Sequence, residues 1–190
     1  MRQVTQILLK YKKSRQKFTV IFSAMGGVTN LLLEAGNKAS SSDTSYLETV
    51  KSIEEKHIKT IQSLMNVKNQ SSLIAYVKTL MNELEDLLQG IFLLKELSPR
   101  TSDLLVSFGE RLSNQIMASY VTQEGLKSEM IDAREIIKTD DSFCNAKVNF
   151  SKTDKNIQAH YKKAKGLSIV TGFIASTDKG ETTTLGRGGS

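Results

Sequence analysis

The sequence has one cysteine, one proline and no tryptophan among 190 residues. A lone Cys144 cannot close an internal disulfide, and no N-terminal stretch has the charged, apolar and small-residue order of a secretory signal. Together these absences predict a cytoplasmic protein. No apolar run approaches the roughly 18 to 20 residues that span a bilayer, so no membrane partner is expected. Net charge is +6, but the basic residues are scattered and no aromatic side chains alternate with them to stack bases, so no nucleic acid is expected either. The one basic run, KYKKSRQK at 10–17, reads as the solvated end of a helix. His57 and His160 lack a second ligand at i+4 and a cysteine partner; both read as surface residues, and no protein metal site is expected. Cys144 lies in a polar stretch with no histidine motif and reads as an incidental thiol.

What is present suits a packed domain. Hydrophobic content of 39% is enough for a core, and the absence of a linker or repeat predicts one domain over residues 1–190. Strong helix formers in long stretches, with FTVIF and LSIVTGFIA between them, predict an α/β fold. Residues 2–13 read as a helix with Val4, Ile7, Leu8 and Tyr11 on one face. FTVIFSA reads as a buried strand running through the Met25–Gly27 turn into the helix VTNLLLEAG, with Gly36 as its C-cap. After the polar loop SSSDTS, Leu47, Val50, Ile53, Ile58, Ile61 and Met65 mark one long helix. Leu73, Val77, Leu80, Leu84, Leu87, Ile91 and Leu94 mark a second at heptad spacing, and the two are expected to form an antiparallel hairpin. The same stripe raises a competing function, a non-catalytic helical module that pairs with another chain. Pro99 opens a third helix capped by Thr101 or Ser102, followed by a strand at 128–131, an irregular stretch around KTDDSFCNAKV and a helix near 154–164. LSIVTGFIA then reads as one strand, and STDKGETTT as a hairpin turning at 178–180.

Three segments carry chemistry. In GRGGS, at 186–190, glycines let backbone amides approach a ligand while an arginine fork grips a carboxylate or phosphate. In SAMGGVTN, at 23–30, a strand, a glycine turn and a helix follow in order, which places N–H donors where an anion can sit. In SFGERLS, at 107–113, Gly109 costs roughly 1 kcal/mol against alanine inside a helix, which points to close packing or ligand approach. Glu110 and Arg111 could equally be an exposed charge pair.

FSAMGGVTNLLLEAG, ELSPRTSDLLVSFGERLS, DAREIIKTDD and VTGFIASTDKGETTTLGRGGS resemble the aspartate kinases of the amino-acid kinase superfamily, along essentially the whole chain. LSPRT and EIIKTDD are most similar to the fused aspartokinase–homoserine dehydrogenases. The resemblance implies an αβα sandwich with a mostly parallel sheet. It also implies transfer of the γ-phosphoryl group of ATP, with Mg²⁺, to the side-chain carboxylate of L-aspartate on the route to lysine, threonine and methionine. Carried over, Glu110 would hold the substrate ammonium, Arg187 would clamp a carboxylate, and Thr29, Phe173 and Thr184 would line the pocket. Ser23, Met25, Gly26 and Gly27 would lie near the transferred phosphate, with Gly188, Gly189 and Ser190 beside them. An aspartate molecule needs one anion, one cation and neutral donors, and these residues supply that inventory.

The pattern departs from the family at both ends. A Lys-Phe-Gly-Gly-Thr-Ser strand is expected before Met1, and an aspartate with the nucleotide-binding half after Ser190. The catalytic lysine and aspartate of the family are therefore expected outside this sequence. The reading is a domain cut at both sides, with no useful kinase activity alone, marginal stability and an exposed sheet edge. Homo-oligomer formation and feedback regulation stay open.

Overall fold

The computed structural model describes residues 1–13 and 18–186. The chain runs α1 (Arg2–Lys13), β1 (Val20–Phe22), α2 (Val28–Ser40), α3 (Tyr46–Leu64), α4 (Val67–Leu94), α5 (Pro99–Gln123), β2 (Ser128–Ile131), α6 (Ala133–Ile136), α7 (Phe150–Tyr161), β3 (Leu167–Thr171), β4 (Ile174–Ser176) and β5 (Thr182–Thr184). β1, β3 and β2 form a parallel sheet in that order, and β4 pairs with β5 as an antiparallel hairpin.

All five residues of β3 are buried, as a central parallel strand covered on both faces requires. Adjacent residues on it point to opposite layers. Ile169 packs with Leu8 of α1 and Met117 and Val121 of α5, while Val170 packs with Ala133 and Ile136 of α6 and Ile174. Helices on both sides of a parallel sheet make the α/β sandwich expected from the sequence. The larger core lies beyond α5, where α2, α3 and α4 close over it around Leu32, Ile53, Leu84, Leu88, Leu112 and Ile116.

The α3–α4 hairpin forms as expected, and its stripe is consumed inside the chain. Leu73, Val77, Leu80, Leu84 and Ile91 are buried, together with Met81 and Leu88, against α2, α3 and α5. Leu94 is 78% exposed because the helix has outrun its partners, and Lys95 ends it in the left-handed region at φ 55°. Apart from its end at Leu94, the stripe is therefore used in packing within the chain, which gives no support to a helical module that pairs with another chain.

Several expectations need correction. Gly36 is no C-cap: α2 continues to Ser40, and a side chain at 36 would meet Leu105 Cδ2 at 2.5 Å, so its role is close helix packing. The cap of α5 is Ser98, whose hydroxyl accepts from the Thr101 N–H, with Pro99 in the first turn where its missing N–H costs nothing. The helix placed near 154–164 runs over Phe150–Tyr161, capped by the Asn149 side chain. On α1 the buried residues are Thr5 and Leu8, while Ile7 and Tyr11 are exposed. β1 is not buried throughout: it is an edge among the described strands, and Ile21 is 61% exposed. LSIVTGFIA is two strands. The Gly172 N–H donates to the Phe22 carbonyl at 2.7 Å, and a Cβ there would press on Ile21 and Ser23. Phe173 then turns through φ 66° and sends β4 away from the parallel sheet.

His57 is a buried residue, not a surface one. Its Nδ1 faces the Ile53 carbonyl at 2.7 Å and its Nε2 has no partner among the described residues. Desolvation lowers its pKa from 6.5, only partly offset by the Ile53 carbonyl. The unfolded chain then takes up a proton that the folded chain resists, so stability is full above the unfolded value and falls with acid. Melting temperature should drop between about pH 7 and about pH 5, with a shallower slope in His57→Leu. An equal slope in both proteins would place the acid sensitivity elsewhere. His160 is half-buried and lies 3.3 Å from the Ser168 hydroxyl.

Candidate functional site

The site is organised by one face of α5. Asp103, Ser107, Glu110 and Asn114 follow at steps of four, three and four, which places them on a single stripe of the helix. All four are buried, with exposures of 1%, 0%, 2% and 0%. A polar stripe inside an otherwise apolar helix must find partners or leave orphaned groups.

Its lower half grips the segment between β1 and α2. Ser113 donates to the Ser23 carbonyl at 2.9 Å, and Asn114 Nδ2 donates to the carbonyls of Phe22 at 2.9 Å and Glu110 at 2.8 Å. Gly109 allows the approach: a Cβ there would stand 2.8 Å from Ala24 Cβ and 3.3 Å from Leu32 Cδ1. Glu110 Oε1 accepts from the Ala24 N–H at 3.2 Å, while Oε2 has no partner among the described residues. Burial pushes the Glu110 carboxyl up from 4.5 to about 7, against the pull of the Ala24 amide. Arg111 pairs instead with Glu83 of α4, so the intrahelical Glu110–Arg111 pair does not form.

The chain then turns at Met25–Gly27. Val28 N–H donates to the Met25 carbonyl at 2.9 Å, and Gly27 adopts φ 83°, which favours glycine. Among the described residues no side chain caps the first turn of α2. Lys56 of α3 donates to the Gly26 carbonyl, bringing a cation against the turn. Ser23, Met25, Gly26 and Ser113 border an open cavity of about 590 Å³ together with Met1 and Arg2. Thr29 is half-exposed in the first turn of α2.

The upper half of the stripe grips the β5 hairpin. Asp103 accepts from the Thr184 hydroxyl at 2.7 Å, the Thr184 N–H at 3.0 Å and the Cys144 N–H at 2.8 Å. Leu185 N–H donates to the Phe173 carbonyl at 3.0 Å, tying the expected pocket residues Phe173 and Thr184 into one unit. Gly186 adopts φ 77°, with Asn145 Oδ1 only 2.7 Å from where its Cβ would be. Arg187, Gly188, Gly189 and Ser190 lie outside the described residues.

Reasoning from sequence missed Asp103, Ser113, Asn114, Gly172 and Lys56. The first and third were detectable, because a carboxylate, a hydroxyl, a carboxylate and an amide at 4-3-4 spacing on an apolar helix is itself a signal. Lys56 and Gly172 had none, since only the tertiary fold brings them to the glycine turn. Among the described residues no three His, Cys, Asp or Glu gather as a metal site, and no helix is long and apolar enough to cross a membrane.

The decisive comparison is with families of known proteins, where the model for the amino acid kinase family matches residues 1–190. The chain belongs to the amino acid kinase family. It is 40% identical to aspartokinase 1, chloroplastic, of Arabidopsis thaliana over all of this chain and 33% of that protein. It is 31% identical to a bifunctional aspartokinase/homoserine dehydrogenase 1 from the same plant, over 94% of this chain and 20% of that protein. Escherichia coli aspartokinase III, solved with aspartate and ADP, superposes with a TM-score of 0.81 at 27% identity, covering 90% of this chain and 37% of that one. The chain thus spans about a third of the length of the aspartokinase relatives.

Proposed function

We propose that residues 1–190 form the amino-acid-binding part of an aspartate kinase, an enzyme that phosphorylates the side-chain carboxylate of L-aspartate with ATP. The observation that carries this reading is Glu110 Oε2, a buried carboxylate oxygen with no partner among the described residues, beside a glycine turn at a helix start. Such an oxygen is an unmet demand for a cation or donor. A substrate ammonium satisfies it, while the Met25–Gly27 turn and the uncapped start of α2 offer N–H groups to the charge that develops on the other side of the substrate. The likeness to a protein solved with aspartate and ADP supports the same pair of substrates.

In this reading Thr29, Phe173 and Thr184 line the amino-acid pocket, Arg187 clamps a carboxylate, and Ser23 and the Gly188–Ser190 segment lie near the phosphate. Lys56 adds a cation that the family resemblance did not supply. Mg²⁺ arrives bound to the phosphates of ATP, which suits a cation that keeps much of its own water. Turnover by residues 1–190 alone is expected to be undetectable. Monofunctional and bifunctional relatives both match, and the identities of 40% and 31% do not favour the fused subtype.

Titration of the ¹⁵N-labelled chain with L-aspartate tests the reading. Saturable shifts are expected at the amides of Ala24, Thr29 and Thr184, with succinate, which lacks the ammonium, binding about tenfold more weakly or worse. Equal responses to both ligands, or none, would overturn it.

A further inference from the structure

Asp103 is buried at the start of α5, and among the described residues it forms no ion pair. Instead it gathers three donors from two segments far away in sequence, the Cys144 loop and the end of β5. Thr184 is correspondingly saturated. Its N–H and hydroxyl both donate to Asp103, and its carbonyl accepts from the Ala146 N–H at 2.9 Å. An ionised carboxylate only accepts, so the Thr184 hydroxyl proton is committed and the oxygen has only lone pairs left for anything else.

Asp103 and Glu110 lie seven residues apart on one rigid helix, roughly 10 Å along its axis. One end of that span fixes β5 through Asp103, and the other fixes the β1–α2 connection through Glu110, Ser113 and Asn114. Both walls of the site are therefore held to the same ruler.

We infer that Asp103 is a positioning residue that clamps the end of β5 to α5 and so holds Thr184, a wall of the proposed amino-acid pocket, on the same helix that carries Glu110. The assignment of the ligand rests on the aspartate reading above; the clamp does not. It also explains why a carboxylate is buried without a cation: the two backbone N–H groups and one hydroxyl are the neutral partners that a buried anion needs. Cys144, at φ 68°, joins this clamp through its backbone N–H and not through its thiol.

Two readouts on the ¹⁵N-labelled chain decide the matter. In Asp103→Asn, hydrogen exchange at the Thr184 and Cys144 amides should accelerate at least about tenfold while the α2–α4 amides keep their protection, because one charged acceptor has been lost. Unchanged exchange at Thr184 and Cys144 would overturn the clamp, whatever the ligand. Should Asp103→Asn fail to fold, Thr184→Val removes the hydroxyl arm of the clamp alone. Exchange at the amide of residue 184 should accelerate by about tenfold while the α2–α4 amides stay protected, and Thr184→Ser should restore it. Unchanged exchange at residue 184 in Thr184→Val would overturn the clamp. If wild-type protein binds no L-aspartate, the substrate reading fails, and the exchange readout still decides for or against the clamp.

Discussion

Glu110→Gln should weaken aspartate binding about thirtyfold or more and, at the same time, stabilise the fold at alkaline pH. The two effects share one cause. Burial raises the Glu110 carboxyl to about 7, so the folded chain holds that proton more tightly than the unfolded chain does. A raised folded pKa contributes stability that is full below the unfolded value and is lost as pH rises through the folded one. Moving a carboxyl from 4.5 to about 7 corresponds to roughly 3 kcal/mol at most. Gln keeps an oxygen for the Ala24 N–H and places a neutral amide where Oε2 was, so the penalty disappears. Melting curves at about pH 8 should therefore favour the variant, and the gap should close towards about pH 5. Binding moves the other way. Removing one partner of a buried charge pair typically costs 2 kcal/mol or more, about thirtyfold in affinity. A variant that is less stable at alkaline pH, or that binds L-aspartate as wild type does, would remove Glu110 from the role assigned to it.

The second large effect is at Gly109. Inside a helix alanine is better than glycine by about 1 kcal/mol, so a substitution of helical glycine ordinarily stabilises. Gly90 in α4 has nothing within 4 Å of where a Cβ would stand, and Gly90→Ala should follow that rule with a gain of roughly 0.5 to 1 kcal/mol. Gly109 should break it. The contact at 2.8 Å is with Ala24 Cβ, which has no torsion to rotate away, and Leu32 and Val28 stand behind it at 3.3 and 3.4 Å. Gly109→Val adds two further methyl groups, and overpacking of this kind costs about 1 to 3 kcal/mol. The displacement also falls on the residue whose N–H reaches Glu110, so aspartate affinity should fall with stability. Denaturant melts of the two variants side by side check this: a Gly109→Val protein as stable as Gly90→Ala would mean that the β1–α2 connection does not rest on α5 at this point.

Much of the architecture was legible from periodicity. The α3–α4 hairpin, β2 at Ser128–Ile131 and the turn at Gly180 all lie where alternation and breaker residues put them. Errors gathered where a tertiary contact outranks a local signal. Gly36 reads locally as a helix terminator, but Leu105 needs the space beside it. LSIVTGFIA reads as one strand because nothing in its composition shows that Phe22 will draw Gly172 in and that Phe173 will turn. His57 is the exception, because its place four residues from both Ile53 and Ile61 already puts it on the face that α3 buries, and only its polarity reads as surface.

The site divides in the same way. Glu110 stood out through the glycine before it and through the family resemblance, and the structure excludes the alternative of an exposed pair with Arg111. The clamp at Asp103 went unread because its partners Cys144 and Thr184 are 41 and 81 residues away.

The most direct test of the central claim is calorimetric titration of L-aspartate into the chain at about pH 7, repeated in buffers of different ionisation enthalpy. An ammonium seated against Glu110 must ionise it. With a free pKa of about 7, binding should release about half a proton per aspartate, falling towards zero by about pH 9 as affinity levels off. Saturable binding with no proton released would place the ammonium elsewhere and contradict the account, as would heats that never rise above dilution.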